Sequence, residues 1–212
     1  GIKAKDIPKK ELPPANLVFL VDVSGSMDVD NKLPLVKKTL RLLTEQLRPQ
    51  DKVTLITYSG GEELVLEPTS GREKAKILKA INELSAGGST AGEQAIQLAY
   101  KEAQKAFVKD GINRILLATD GDFNVGITDF DTLKSLIEEK RKGGVSLTTL
   151  GYGTDNYNEE LMEQLADAGD GNYSYIDNEK EAKKVLQRQL SSTLVTVAQD
   201  VKIQVEFNPS TV

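Results

Sequence analysis

Apolar and polar positions alternate along this chain with two different periods. Runs rich in Val, Ile, Leu and Thr fall at about 17–22, 53–58, 63–67, 113–119, 145–151 and 172–176. Their length and content predict strands. Between most of them, apolar residues recur every three or four positions, as on one face of a helix. Leu33, Val36, Leu40, Leu43 and Leu47 make one such stripe between Asp30 and Pro49. Ile77, Ala80, Ile81 and Leu84 make a second. Ala95, Leu98, Ala99, Ala103, Ala106 and Phe107 make a third, ended by Gly111. Leu133, Leu136 and Ile137 mark a fourth, ended by Gly143-Gly144, and Leu161 and Leu165 mark a fifth. Val185, Leu186, Leu190, Leu194 and Val197 mark the last, and Asn178 and Glu181 at its start have capping-box spacing.

Strands alternating with helices predict an α/β fold: a doubly wound, mostly parallel six-stranded sheet with helices on both faces. The link from 53–58 to 63–67 is too short for a crossover. Ser59-Gly60-Gly61 therefore reads as a hairpin turn, and 63–67 as one antiparallel edge strand. Leu17-Val-Phe-Leu-Val21 has no polar break, which predicts a central strand buried on both faces, between 53–58 and 113–119.

The ends read differently. Residues 1–14 are charged and Pro-containing, like a linker from a preceding region. Val201-Lys-Ile-Gln-Val-Glu-Phe207 alternates strictly and then meets Asn208-Pro209. It reads as the first strand of a truncated C-terminal domain over 201–212, with an edge strand of the main domain as the alternative.

Composition removes several chemistries. The 212 residues suit one α/β domain, and 39% hydrophobic with 28% charged residues is an ordinary globular balance. The net charge of −5, with no dense Lys/Arg block, argues against nucleic acid. There is no cysteine and no histidine, so thiolate catalysis, zinc–thiolate sites and the commonest general base are absent. No apolar stretch is long enough to span a bilayer, and no signal-peptide pattern occurs. A monomer is expected.

Candidate chemistry gathers where the strands end. Asp22-Val-Ser24-Gly-Ser26 follows the first strand, with short oxygen-bearing side chains at alternate positions and a glycine that allows a tight turn. Asp120-Gly121 follows the run 114–119, and Gly87-Gly-Ser-Thr-Ala-Gly92 is a hydroxyl-bearing loop opening a helix. Open α/β sheets bind ligands beyond the carboxyl ends of their strands. Two carboxylates and several hydroxyls suit a hard divalent cation and leave coordination sites unfilled.

These three segments resemble the metal-ion-dependent adhesion site of von Willebrand factor type A domains. The family's Asp-x-Ser-x-Ser motif matches Asp22, Ser24 and Ser26; its loop threonine matches Thr90; its aspartate in a Thr-Asp-Gly turn matches Asp120. The resemblance covers about 15–200. Asp120-Gly-Asp-Phe-Asn-Val-Gly126, Met162-Glu-Gln-Leu-Ala-Asp167 and the tail from Asp200 to Pro209 resemble a bacterial group with a further C-terminal domain.

The resemblance implies one cation, Mg²⁺ with Mn²⁺ or Ca²⁺ as substitutes. Ser24, Ser26 and Thr90 would supply hydroxyls; Asp22 and Asp120 would act mainly through bridging waters. The metal would take an acidic residue of a protein partner as its sixth ligand. It also implies a non-enzymatic binding module at a bacterial cell envelope, and a site whose two arrangements are coupled to the last helix, about 179–200.

Other readings of the residues stand beside this one. A Mg²⁺-dependent phosphate or ester hydrolase would need a base, for which Asp122 or Asp28 is the candidate, and a phosphate cradle that the chain does not offer. A regulatory subunit of a partner enzyme fits the same motifs. Asp120-Gly-Asp122-Phe-Asn124 opens like an EF-hand, but Val125 replaces the turn glycine and Asp131 the bidentate Glu. Tyr152, Tyr157, Tyr173 and Tyr175 read as packing, with a partner surface as the alternative. Ser24 has no histidine to activate it.

Overall fold

The computed structural model describes residues 12–88, 92–121, 130–153 and 158–188. Six strands form one sheet: β1 Ala15–Asp22, β2 Lys52–Tyr58, β3 Glu62–Ser70, β4 Ile112–Thr119, β5 Ser146–Tyr152 and β6 Tyr173–Ile176, in the order β3-β2-β1-β4-β5-β6. The β1–β2, β1–β4, β4–β5 and β5–β6 pairings are parallel, and β2–β3 is antiparallel. The central place of β1 and the antiparallel edge strand are as the hydrophobic pattern predicts.

Six helices cover the sheet: α1 Leu33–Gln46, α2 Lys74–Glu83, α3 Gly92–Lys105, α4 Phe130–Arg141, α5 Glu159–Ala168 and α6 Glu179–Arg188. The unbroken apolar run of β1 serves both faces. Leu17, Phe19 and Val21 pack with Val36, Leu40, Ile77, Ile81 and Leu186 of α1, α2 and α6. Val18 and Leu20 pack with Ala95, Ala99, Leu133, Ile137, Met162 and Leu165 of α3, α4 and α5. Each fully buried side chain of this kind contributes about 1.5–3 kcal/mol relative to exposure.

Several boundaries differ from the pattern for identifiable reasons. α1 starts at Leu33 rather than near Asp30, because backbone bonds from Val29 N to Met27 O and from Lys32 N to Val29 O hold the preceding residues in turns. α3 ends at Lys105, so Ala106 and Phe107 lie beyond it, and Phe107 is exposed. β3 runs on to Ser70 through Pro68. Its register against β2 shifts between Val53 and Leu55, which an edge strand tolerates where proline cannot donate. Asn178 Oδ1 accepts the Glu181 amide at 2.9 Å, the N-cap half of the expected box. Tyr152 is fully buried, and Tyr175 donates to the Gly153 carbonyl at 2.6 Å. Leu12 and Pro13 offer their carbonyls to the Arg48 guanidinium at 2.5 and 2.6 Å. The alternating segment 201–207, the last helix beyond 188, and Tyr157 lie outside the described residues.

Succession along the sheet reverses at β1: β2 lies on one side and β4 on the other. The carboxyl ends of β1 and β4 therefore flank the crevice where such sheets bind ligands. Asp22 closes β1, and Asp120 immediately follows β4.

Candidate metal centre

Asp22 is fully buried and braced from three sides. Its Oδ1 accepts the Ser24 amide at 2.9 Å. Its Oδ2 accepts the Thr119 hydroxyl at 3.0 Å and lies 3.4 Å from the Tyr58 hydroxyl. Burial raises the Asp22 carboxyl above the usual range; bonds from Ser24 and Thr119 pull it back in part, and the charge on Asp120 pushes it up again. Burial, and then the Asp22 charge, holds the Tyr58 hydroxyl well above its ordinary value, so it remains a donor.

The chain leaves Asp22 through a 3₁₀ turn, Gly25–Met27. Met27 is buried and anchors the turn, which leaves Ser24 buried and Ser26 exposed. Ser24 Oγ and Ser26 Oγ stand 3.1 Å apart. A second loop is stitched to this one: Gly25 N donates to Gly88 O at 3.1 Å, and Gly87 N donates to Val23 O at 2.7 Å. Gly88 has φ +83°, which strains any other residue, and a Cβ there would lie 2.9 Å from Ser59 Oγ, so that side chain would have to turn aside. The stitch fixes where the chain sets out toward Ser89 and Thr90. Thr90 itself lies outside the described residues, as does Asp122.

Asp120 is almost fully buried, and its Oδ2 accepts the Lys32 ammonium at 2.9 Å. Gly121, at φ +83°, turns the backbone sharply, and its amide donates to Thr119 Oγ1 at 3.2 Å. Thr119 thus links the ends of β1 and β4.

The donors that meet here are hard oxygens from carboxylates and hydroxyls, the set that Mg²⁺ and Ca²⁺ take. Adjacent ligands of an octahedral Mg²⁺ at about 2.1 Å lie about 3 Å apart. The Ser24–Ser26 separation of 3.1 Å matches that edge. Among the described residues no three His, Cys, Asp or Glu side chains cluster to hold a metal. Asp28 is exposed, and its side chain is not among the groups braced around Asp22.

Sequence reasoning grouped Asp22, Ser24, Ser26, Thr90 and Asp120; hydrogen bonds join Asp22, Ser24 and Ser26, and Asp120 lies close enough for its charge to act on Asp22, while Thr90 lies outside the described residues. That reasoning missed the supporting roles of Tyr58 and Thr119, and missed Lys32 altogether. Tyr58 and Thr119 each end a strand beside Asp22, and that position was the available signal. Lys32 carried none, since it precedes a helix far from Asp120 in sequence. A groove of about 840 Å³ is lined by Gln97, Tyr100, Lys101 and Glu139, and none of the described site residues lines it.

Comparison with known proteins shows the family. The family model described as the von Willebrand factor type A domain matches residues 16–193, and one described as the C-terminal part of uncharacterized protein YfbK matches 192–212. The chain belongs to the von Willebrand factor type A domain family, within a bacterial group that carries a further C-terminal region. Uncharacterized protein YfbK of Escherichia coli (strain K12) is 53% identical over 209 residues, which is 99% of this chain and 36% of that protein. The chain thus spans about a third of that relative's length. A von Willebrand factor type A structure from Catenulispora acidiphila superposes with TM-score 0.72 at 19% identity, over 86% of this chain and 43% of that one. The PilB minor pilin from Streptococcus sanguinis superposes with TM-score 0.65 at 15% identity, over 87% of this chain and 62% of that one. Domains of this family commonly serve as protein-interaction modules.

Proposed function

We propose that this chain is a metal-dependent protein-binding module that recognises an acidic group of a partner, and that it is not an enzyme. Ser24, Ser26 and Thr90 would hold a divalent cation, Mg²⁺ first, with Asp22 and Asp120 acting through water. When bound, the cation supplies a Lewis-acidic position that a partner's carboxylate can occupy. The observation that carries the reading is the pair of serine hydroxyls 3.1 Å apart, backed by the braced carboxylate of Asp22. Asp22 fixes the Ser24 backbone, and Thr119 and Tyr58 fix Asp22 in turn. This arrangement orients hydroxyls without spending carboxylates on the cation. With few negative ligands, the site retains positive charge for an anion.

The proposal extends to place: the cell envelope of a bacterium, acting in adhesion or assembly. The minor pilin carries the same fold. Among the described residues no helix is long and apolar enough to cross a membrane.

The test is affinity capture from envelope extract of a strain that carries the protein. It uses the wild-type chain with Mg²⁺, the same chain with EDTA, and Asp22→Ala. A partner retained only by wild type with Mg²⁺ supports the reading. A partner retained equally in all three arms contradicts it.

A further inference from the structure

Lys32 differs from the ion-paired lysines on the exposed helix surfaces. The Lys79–Glu83 and Lys183–Glu179 pairs lie on exposed helix surfaces, with lysine side chains 76% and 55% exposed. Such pairs are worth little. The Lys32 side chain is 12% exposed, and its partner Asp120 is 2% exposed.

Its path is built. Lys32 occupies the N-cap position of α1 but makes no side-chain cap, and Pro34 in the first turn has no N–H to satisfy. Its side chain is therefore directed away from the helix and crosses the end of β5. There a Cβ on Gly153 would come within 2.6 Å of Lys32 Cε and 3.1 Å of its Cγ. Gly153 has φ +87°, and its carbonyl is held by the Tyr175 hydroxyl at 2.6 Å. The lysine stem thus lies in a slot walled by backbone that glycine keeps open. At its end the ammonium meets Asp120 Oδ2 at 2.9 Å, across 88 residues of sequence.

We propose that Lys32 is a built-in counter-cation of the site, holding Asp120 until a divalent cation competes for it. The inference rests on reading Asp22, Ser24, Ser26 and Asp120 as a divalent-cation site. Two carboxylates and one ammonium leave the metal-free cluster one negative charge. A divalent cation has to displace the ammonium from Asp120, so Lys32 lowers metal affinity, and in the metal-free state it keeps the site from being a bare pair of buried carboxylates.

The experiment is isothermal titration of Mg²⁺ and, separately, Mn²⁺ into the full chain, for wild type, Lys32→Gln, Lys32→Met and Asp22→Ala. Circular dichroism checks folding. Lys32→Gln and Lys32→Met are expected to bind both ions about tenfold more tightly than wild type. Equal or weaker binding by these variants, with wild type still binding, overturns the role of Lys32 and leaves the metal site standing. No binding by wild type or either variant overturns the metal site itself. The unmodified chain supplies an independent readout by nuclear magnetic resonance of lysine Nζ. On saturation with Mg²⁺, the Lys32 ammonium signal should move toward those of the exposed lysines. An unmoved signal in a chain shown to bind Mg²⁺ contradicts displacement.

Discussion

The Thr119 hydroxyl donates to Asp22 Oδ2 at 3.0 Å across 97 residues of sequence, and accepts the Gly121 amide at 3.2 Å. One small side chain thereby ties the end of β1 to the turn that presents Asp120. Thr119→Val keeps the shape and removes both bonds. It leaves the Gly121 amide without that acceptor and Asp22 Oδ2 with the long Tyr58 contact. Urea unfolding should show a loss of about 1–3 kcal/mol, together with weaker Mn²⁺ binding. Unchanged stability would mean that the link is incidental.

Asp22 gives a pH dependence with a definite sign. Its folded-state carboxyl titrates above its ordinary value, chiefly through burial. The stability it contributes is therefore full below the unfolded carboxylate range, about pH 3.9, and is lost as pH rises through the folded value. In EDTA at pH 7, Asp22→Asn should melt at a higher temperature than wild type, and the gap should shrink as pH falls toward 4. A lower melting temperature for the Asn variant at pH 7 would contradict the assigned cost.

Ser26 is exposed, and its hydroxyl meets that of Ser24 at 3.1 Å. Ser26→Ala should change the stability of metal-free protein by no more than about 0.5 kcal/mol, yet remove most of the thermal stabilisation that Mg²⁺ confers on wild type. Differential scanning fluorimetry with and without Mg²⁺ separates the two effects. Full metal stabilisation in Ser26→Ala would remove this hydroxyl from the site.

The path from the site to the last helix is short. Asp120 holds Lys32, Lys32 begins α1, and α1 packs against α6. Release of Lys32 by a bound cation should alter hydrogen exchange in the first turn of α1 and along 179–188. Unchanged protection in both would mean a rigid binding platform.

The fold was legible because its signals are local. Leu17 to Val21 announced a strand buried twice over, and Phe19 and Leu20 do face opposite layers. The short Ser59-Gly60-Gly61 link could only be a hairpin. Helix ends were less legible, since Ala106 and Phe107 continue the α3 period in sequence although the helix has stopped at Lys105. The site divided in the same way. Asp22, Ser24 and Ser26 sit in one turn, and Asp120 follows a strand, so each was visible where it stood. Tyr58, Thr119 and Lys32 acquire their roles only when three parallel strands and the start of a helix come side by side. No spacing within the chain encodes the 88 residues between Lys32 and Asp120.

The central claim is that one divalent cation sits between the two serine hydroxyls and Asp120. Crystals of the chain soaked in Mn²⁺, measured at a wavelength where manganese scatters anomalously, test it directly. The account predicts one strong anomalous peak per chain, in contact with Ser24 Oγ and Ser26 Oγ and linked to Asp22 and Asp120 through water. No peak there, or peaks only at exposed acidic residues elsewhere on the surface, would contradict it.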